Sequence, residues 1–206
     1  MMQAAADKVV SLYERHAQEW VAARLHQTRF TERAWMDKFC GLVQPGGKVL
    51  DIGCGAGAPV SSYLVQRGYE ITGVDSSPAM IGLFRERLPQ QQAMVADMRT
   101  LSLNRSFDGM LAWDSFFHLS HDDQRSMFKV FRAHAATGCA LMFSSGPAHG
   151  EAIGELHGEP LYHASLAPAE YRQLLSQHGF DVAATVSEDP DCGGRTVWLA
   201  RLTSAP

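Results

Sequence analysis

Three glycines and one aspartate form the pattern in this sequence that most directly indicates chemistry. Gly53, Gly55 and Gly57 follow the apolar run 48–52, and Asp75 ends a second apolar run about 20 residues later. Glycines after a strand let the backbone turn tightly and approach a ligand, and the helix that follows points its N-terminal amides at that ligand. An acid at this distance can accept both hydroxyls of a ribose. Together these residues predict a site for a nucleoside-containing ligand.

The glycine spacing alone does not decide which nucleoside cofactor binds. Gly53, Gly55 and Ala58 satisfy the dinucleotide pattern G-x-G-x-x-G/A, which keeps a nicotinamide-dependent reductase open. Two features argue against a reductase. The carboxylate of Asp51, just before the turn, would add negative charge beside a pyrophosphate. The sequence also lacks the Tyr-x-x-x-Lys pair of such a catalytic site. The same carboxylate suits an ammonium or a sulfonium, and S-adenosylmethionine carries both. A non-catalytic nucleoside-binding regulatory protein has the same pattern and also stays open.

The elements around these residues predict an α/β fold in which strands and helices alternate. Residues 1–44 are predicted to form an N-terminal helical cap, and residues 45–206 the α/β core, of a single domain spanning 1–206. Such alternation implies a doubly wound, mostly parallel sheet with its ligand at the carboxyl ends of the strands. The predicted strands are 48–52, 71–75, 93–97, 107–113, 139–143, 182–186 and 197–202, with an inserted hairpin within 146–164 that turns at His157-Gly158.

Hydroxyl side chains mark where four of the helices are expected to begin. A hydroxyl at a helix N-terminus accepts a hydrogen bond from a backbone N–H that has no partner within the helix. On this basis the residues predicted to cap helices are Thr31, Ser77, Ser120 and Ser165.

The amino-acid composition limits the kinds of molecule that the protein is expected to bind. Basic residues number 18 and acidic residues 22, a net charge of −4, so nothing favours nucleic acid or an anionic membrane. The first residues lack the basic-then-apolar pattern of a leader, and no stretch reaches the roughly 20 apolar residues of a membrane span. The four cysteines are scattered without a C-x-x-C pair, which disfavours disulfides and zinc and favours the cytoplasm. We expect a small-molecule partner, and no feature predicts the oligomeric state.

Several segments together resemble class I S-adenosylmethionine-dependent methyltransferases. Residues 49–57 are similar to the first motif of that family, 72–77 to its second-strand motif, 96–98 to the segment beside the adenine, and 107–119 to its fourth-strand motif and the loop after it. The resemblance covers roughly residues 46–206. It implies a Rossmann-like seven-stranded sheet whose last strand is antiparallel. The Asn/Asp-Pro-Pro-aromatic motif of DNA adenine methylases is absent, which disfavours a DNA substrate.

The resemblance also implies roles for single residues. Asp75 would hold the ribose hydroxyls, Asp97 would bond the adenine amino group, and Met98 would pack on the adenine ring. The backbone near Trp113 and Asp114 would contact the ammonium group. The other residues predicted to contact S-adenosylmethionine or its product S-adenosylhomocysteine are Asp51, Gly53, Cys54, Gly55, Gly57, Ser76, Met80, Trp20 and Arg24.

The N-terminal cap supplies part of that predicted set. Trp20, Arg24 and Arg29 are placed to cover the cofactor, and an arginine there can meet the cofactor's carboxylate. The alternative is an amphipathic helix that simply packs on the sheet, and a helix can do both if it serves as a lid.

Three residues are candidates for acting on the methyl acceptor. His118, in the loop after the fourth strand, is predicted to act as a base or to orient the acceptor, with packing of the loop as the alternative. Tyr162 and His163, in the hairpin, are expected to face the acceptor. The His and Glu residues of this hairpin could bind a metal, but a solvated face is the favoured interpretation, and no metal site is predicted. The sequence thus predicts methyl transfer to a small molecule without defining the acceptor atom.

Overall fold

The computed structural model describes residues 6–26 and 29–203, which form a seven-stranded sheet with helices on both faces and a separate two-stranded hairpin. The strands are β1 (Lys48–Ile52), β2 (Glu70–Asp75), β3 (Gln92–Val95), β4 (Phe107–Ala112), β5 (Ala135–Ser145), β6 (Gly150–Leu156), β7 (Glu159–Ser165), β8 (Phe180–Asp189) and β9 (Arg195–Leu202). The helices are α1 (Val9–Leu25), α2 (Arg33–Cys40), α3 (Val60–Gln66), α4 (Pro78–Arg87), α5 (His121–His134) and α6 (Pro168–Gln177).

The strands lie in the order β3-β2-β1-β4-β5-β9-β8. Parallel pairing joins β3, β2, β1, β4 and β5, whereas β9 runs antiparallel to both of its neighbours. This arrangement confirms the predicted doubly wound, mostly parallel sheet with an antiparallel last strand. The strand order reverses between β1 and β4, and ligands of such sheets bind in the crevice at the carboxyl ends of the strands on either side of that point.

Alternation along β1 explains how the sheet is covered. Leu50 and Ile52 are buried among the helices of one face and Val49 among those of the other, because successive strand residues point to opposite faces. The first of these faces carries an aromatic cluster made by Phe116, Phe128, Phe131, Phe143 and Trp198. Since β1 is packed on both sides, the turn that follows it starts from a fixed position.

The predicted N-terminal cap consists of two helices with different surroundings. Helix α2 packs into the core of the sheet through Trp35, Met36 and Phe39. Helix α1 packs instead on α4 through Ala17 and on the hairpin through Leu12. The division into cap and core stays a prediction, and the first five residues of the stretch on which the leader expectation rests lie outside the described residues. Within the described ranges, no helix combines the length and the apolar character that crossing a membrane would require.

Two of the predicted helix caps and the predicted hairpin are confirmed. The hydroxyls of Ser77 and Ser120 each accept from the backbone N–H three residues further along, at the starts of α4 and α5. Strands β6 and β7 pair antiparallel with His157 and Gly158 between them.

The other two predicted caps are wrong. Thr31 does not cap α2, because the N-cap position belongs to Glu32, whose side chain makes no capping hydrogen bond. Ser165 is the last residue of β7, where its hydroxyl accepts from the N–H of Gly146 at 2.7 Å. Helix α6 begins later, at Pro168, which suits a first helical position because it has no N–H to satisfy.

Candidate functional site

A cavity opens at the carboxyl ends of β1, β2 and β4, where the strand order reverses. The glycine turn after β1 and helix α1 both contribute to its lining. All residues that the sequence predicts to contact the cofactor, with the exception of Arg29, line this cavity, including Ser76 and Met80, which follow β2. The fold therefore gathers one continuous surface from segments spread between Trp20 and Asp114.

The three positions of the turn are occupied by glycine for different structural reasons. Gly53, Gly55 and Gly57 all have positive φ, at +75°, +51° and +75°. Packing excludes a side chain at Gly53, where an added Cβ would lie 2.3 Å from the Cβ of Ser115, and Gly57 is also too closely packed to carry one. At Gly55 the nearest atom to an added Cβ belongs to Trp20, 3.7 Å away. The missing side chain of Gly55 therefore leaves the cavity open rather than permitting close packing.

Asp75 lies at the end of β2 and lines the cavity. Its Oδ2 accepts from the N–H of Gly55 and its Oδ1 from the N–H of Ser77, both at 2.9 Å. Burial raises the pKa of this carboxyl, while the N–H donors oppose the rise. An ionised carboxylate has about four acceptor positions, so positions remain for hydroxyls of a ligand. Asp75 thus holds the glycine turn and offers acceptors to a ligand at the same time.

Asp51 is a buried carboxyl in the lining of the same cavity. The hydroxyl of Ser61 donates to its Oδ2 at 2.5 Å. Burial, with a smaller contribution from the charge of Asp75, raises the pKa of Asp51 to about 6 against the opposing hydrogen bond from Ser61. A cation placed beside Asp51 would favour its ionised form. Burial also raises the thiol pKa of the adjacent Cys54 well above its usual value, so this residue is an uncharged part of the lining.

Asp97 and Met98 line the cavity beyond β3. Arg99 donates to Asp97 Oδ1 from its backbone N–H at 2.9 Å and from its Nε at 3.0 Å, and these bonds hold the pKa of Asp97 below its usual range. The guanidinium of Arg99 also lies 3.1 Å from Asp7 and 3.6 Å from Asp123. The sequence did not indicate Arg99 as a site residue, because an arginine beside a turn is usually a solvated surface group.

Asp114 is held in the cavity wall by a partly buried network of charges. Its φ is +48°, and its carboxylate accepts from Nε and Nη2 of Arg195, each at 2.8 Å. Arg24 lies 3.9 Å from the same carboxylate and donates to Glu32, which is 1% exposed. Arg195 in turn lies 3.5 Å from Glu32. Two guanidiniums and two carboxylates thus balance one another, and the arginine predicted to meet a cofactor carboxylate already has protein partners.

Trp113 contributes a buried donor to the cavity wall. Among the described residues, no acceptor reaches its indole N–H, which is closed off from solvent. Buried indole N–H groups usually have a partner. The unpaired donor therefore indicates that a ligand or a water molecule supplies the acceptor.

A second cavity adjoins the first on the side of the hairpin. Its lining comes from the segment after β5, from β7 and from the turn before β9. Arg29 is exposed and lines neither cavity. The residues that line both cavities are Tyr13, Trp20, Arg24, Asp114 and His118. We call this set the shared wall.

His118 lies in the shared wall with both ring nitrogens engaged. Its Nδ1 lies 2.8 Å from the carbonyl oxygen of Tyr162, so Nδ1 carries the proton and donates. In the neutral ring Nε2 is then the acceptor, and the hydroxyl of Tyr13 donates to it at 3.1 Å. Burial, with a smaller contribution from the neighbouring His163, lowers the pKa of His118 to about 4. Burial raises the pKa of Tyr13, so both groups are neutral at pH 7.

Tyr162 and His163 are successive residues of β7 and therefore point to opposite faces of the hairpin. The Tyr162 side chain packs against α1, and its hydroxyl donates to Glu151 at 2.5 Å. Contrary to expectation, Tyr162 lines neither of the two cavities, and only its carbonyl reaches His118. His163 lines the second cavity, with its ring centre 4.9 Å from that of His118, and partial burial lowers its pKa.

The fold is shared with solved methyltransferase structures. Magnesium protoporphyrin IX methyltransferase from Synechocystis PCC 6803, solved with bound S-adenosylmethionine, aligns with a TM-score of 0.73 at 19% identity and covers 97% of each chain. An amino pentose methyltransferase from Micromonospora echinaspora aligns with a TM-score of 0.72 at 18% identity, over 89% of this chain and 96% of that one. At such identities the likeness concerns the architecture.

A family model matches part of the sequence. Residues 49–138, which contain the glycine turn and Asp75, match the family model described as a methyltransferase domain. This segment is therefore a methyltransferase domain, and the fold is that of the class I S-adenosylmethionine-dependent methyltransferases. The predicted family and its predicted cofactor, S-adenosylmethionine, are thereby confirmed.

Curated relatives match this chain only in part. The ubiquinone biosynthesis O-methyltransferase of Azoarcus sp. (strain BH72) is 30% identical over 127 residues, which is 59% of this chain and 52% of that protein. The chain thus spans about half the length of the curated relative it matches. The matched region supports the methyltransferase assignment but does not identify the methyl acceptor.

Proposed function

We propose that this protein transfers the methyl group of S-adenosylmethionine to a small-molecule acceptor. The observation that carries the proposal is the shared wall, in which residues such as Tyr13 and His118 border both cavities. Methyl transfer requires an acceptor atom held in line with the donor and shielded from water. Two adjoining cavities at the carboxyl ends of the strands, with a common wall, support such an arrangement of donor and acceptor.

The residues of the first cavity fit S-adenosylmethionine, which when bound supplies an electrophilic methyl group on its sulfonium. The remaining acceptor positions of Asp75 suit the ribose hydroxyls, and Met98 suits the face of the adenine ring. The buried carboxyl of Asp51 offers a negative charge to a cationic ligand. The indole N–H of Trp113, which lacks an acceptor among the described residues, can donate to a polar atom of the ligand.

We infer that Tyr13 and His118 together remove a proton from the acceptor. Because the Tyr13 hydroxyl donates to Nε2 of His118, the lone pairs of its oxygen remain free to accept from an acceptor hydroxyl or amine. On methylation of the acceptor, its proton would pass to the Tyr13 oxygen and the Tyr13 proton to Nε2, while the bond between the methyl carbon and sulfur breaks and S-adenosylhomocysteine leaves. The carbonyl of Tyr162 then stabilises the positive ring through Nδ1–H.

The lining of the second cavity favours a flat acceptor. Trp20, Phe117 and His163 offer aromatic surface, and Ser145 and Glu151 offer polar contacts. Curated relatives carry the name ubiquinone biosynthesis O-methyltransferase, which supports a hydroxyl as the group that is methylated. We therefore include an aromatic hydroxyl in the proposal as the acceptor.

The proposed setting is the cytoplasm. The four cysteines are free thiols in the structure, as a reducing compartment would keep them. A net charge of −4 supports a metabolite rather than nucleic acid as the partner.

Binding and turnover test this proposal separately. Calorimetry with S-adenosylhomocysteine is expected to show one site, and a screen of phenols and amines with methyl-labelled S-adenosylmethionine is expected to show transfer to a phenol. No binding at millimolar ligand would overturn the cofactor site. Binding without transfer to any acceptor would instead favour a non-catalytic cofactor-binding protein.

Replacing Gly55 with valine is expected to weaken S-adenosylhomocysteine binding by about a hundredfold or more, equivalent to about 2.7 kcal/mol, because the side chain enters the cavity. Gly68→Val is the matched control. Gly68 also has positive φ, +86°, with no atom within 4 Å of an added Cβ, but it does not line the cavity. Both variants are expected to lose about 1–2 kcal/mol of stability through their backbone conformation. Equal affinity of the two variants in calorimetry would remove Gly55 from the site.

Cofactor affinity is expected to fall below pH 6. Asp51 has a pKa of about 6, and only its ionised form attracts a cationic ligand. Protonation of Asp51 between pH 7 and pH 5 should therefore weaken S-adenosylmethionine binding by about tenfold. Calorimetry from pH 7 to pH 5 on the natural protein and on Asp51→Asn checks whether Asp51 causes this pH dependence. The variant should bind S-adenosylmethionine weakly, with an affinity that does not change over this range. An unchanged slope in Asp51→Asn would assign the titration to another group, such as Asp75.

A further inference from the structure

The junction between α1 and the hairpin brings three possible metal ligands together outside both cavities. His16 Nδ1 lies 2.8 Å from a carboxylate oxygen of Glu19, three residues along α1. The ring of His157, at the tip of the hairpin, stacks on that of His16 with 5.0 Å between centres. One ligand atom from each of these three residues lies within 4.8 Å of the others.

We propose that His16, Glu19 and His157 bind a zinc ion. Two imidazoles and one carboxylate form a ligand set that zinc takes in proteins, with bond lengths of about 2.0–2.2 Å and a water molecule in the fourth position. The ligand atoms must move closer together than 4.8 Å to reach such bonds. Glu19 and His157 are exposed, so rotation of their side chains supplies this movement.

The surroundings of His16 support a metal ligand. Its second nitrogen, Nε2, lies 2.8 Å from Glu159 Oε1, and the other oxygen of Glu159 accepts from Arg15 at 2.5 Å. Histidines that bind metals commonly donate their other N–H to a carboxylate, which fixes the ring and strengthens the ligand. His16 also departs from helical geometry inside α1, with φ −106° and ψ 15°.

The proposed ion would tie two parts of the site together. Helix α1 carries Tyr13 and Trp20 of the shared wall, and β7 of the hairpin carries His163 of the second cavity. The three ligands themselves line neither cavity. Zinc at this junction would therefore hold α1 against the hairpin without taking part in methyl transfer.

Calorimetric titration of the EDTA-treated protein with zinc chloride tests the proposal. The natural protein is expected to bind one zinc ion, His16→Ala and His157→Ala to bind it at least about tenfold more weakly, and Glu159→Gln about 10- to 100-fold more weakly. His149→Ala is the matched control, because His149 is exposed but lies outside the cluster. The site is overturned if no zinc binds, if both histidine variants bind as the natural protein does, or if His149→Ala abolishes binding.

Thermal unfolding gives a second readout that does not depend on activity. Zinc should raise the melting temperature of the natural protein and of His149→Ala, because an ion that binds only the folded chain stabilises it. In His157→Ala the rise should be lost, while the melting temperature in EDTA stays close to that of the natural protein because His157 is exposed. An equal rise in His157→Ala would place the bound zinc elsewhere.

Discussion

Replacing Asp75 with alanine is expected to lower the affinity for S-adenosylhomocysteine by more than about a hundredfold. In the proposed complex its carboxylate accepts from both ribose hydroxyls while it holds the N–H groups of Gly55 and Ser77. Hydrogen bonds to a charged group contribute about 1.5–3 kcal/mol each, and two of them correspond to a factor of 100 or more. Calorimetry on the natural protein and the variant measures the difference.

Two comparison variants separate binding from folding in this prediction. Asp75→Ala leaves two buried N–H groups without an acceptor and should also melt earlier, whereas Asp75→Asn keeps a carbonyl oxygen for one of them. Asp97→Ala should weaken binding less than Asp75→Ala, because Arg99 already occupies the Asp97 carboxylate. A folded Asp75→Asn protein with undiminished affinity would show that Asp75 does not hold the ribose.

The parts of the cavity lining that the sequence indicates in advance are those set by local pattern. The apolar run before Gly53 forms a buried strand, as its length and the glycines after it indicate, and the positive φ at Gly55 is a conformation that glycine adopts without strain. The position of Asp75 can be predicted because β2 runs parallel beside β1, so the carboxyl end of β2, where Asp75 lies, is next to the carboxyl end of β1. Residues at the carboxyl ends of adjacent parallel strands meet without any long-range side-chain contact, so local pattern is sufficient.

The contacts that the sequence does not reveal join residues far apart in the chain. Arg195 pairs with Asp114 because β9 returns antiparallel beside β5, and nothing near either residue indicates the other. On β7 the alternation of a strand requires Tyr162 and His163 to face opposite sides, but which side meets the cavity depends on how α1 packs on the hairpin. The expectation for Tyr162 fails for that reason.

The two misplaced helix caps have a related cause. A hydroxyl before an apolar stretch favours a helix start, but Ser165 instead accepts from the N–H of Gly146 in the segment after β5. A tertiary partner for the hydroxyl outweighs its local role as a cap, and the proline at 168 then determines where α6 begins. Ser77 also has a tertiary partner, because its hydroxyl donates to Glu14, but the oxygen still accepts from the N–H of Met80, so Ser77 caps as predicted, and so does Ser120.

Removing the hydroxyl of Tyr13 is expected to lower kcat by about a hundredfold or more while leaving S-adenosylhomocysteine affinity nearly unchanged. Tyr13→Phe keeps the ring that contacts Trp20 edge-on, with 5.8 Å between ring centres, but it removes the oxygen that accepts the acceptor's proton. His118→Ala should lower kcat by a similar factor, because the Tyr13 proton then has no base to receive it. Since the two groups act as one unit, the double variant should be little slower than either single variant.

Tyr162→Phe is the matched control for this prediction. It removes a phenol from the same region, but that hydroxyl donates to Glu151 and the residue lines neither cavity, so kcat should change little. If Tyr13→Phe lost no more activity than Tyr162→Phe, Tyr13 would have no part in proton transfer. Full additivity of Tyr13→Phe and His118→Ala would equally contradict the relay, because independent groups contribute independent factors. Only strong non-additivity at unchanged cofactor affinity fits a proton that passes through Tyr13 to His118.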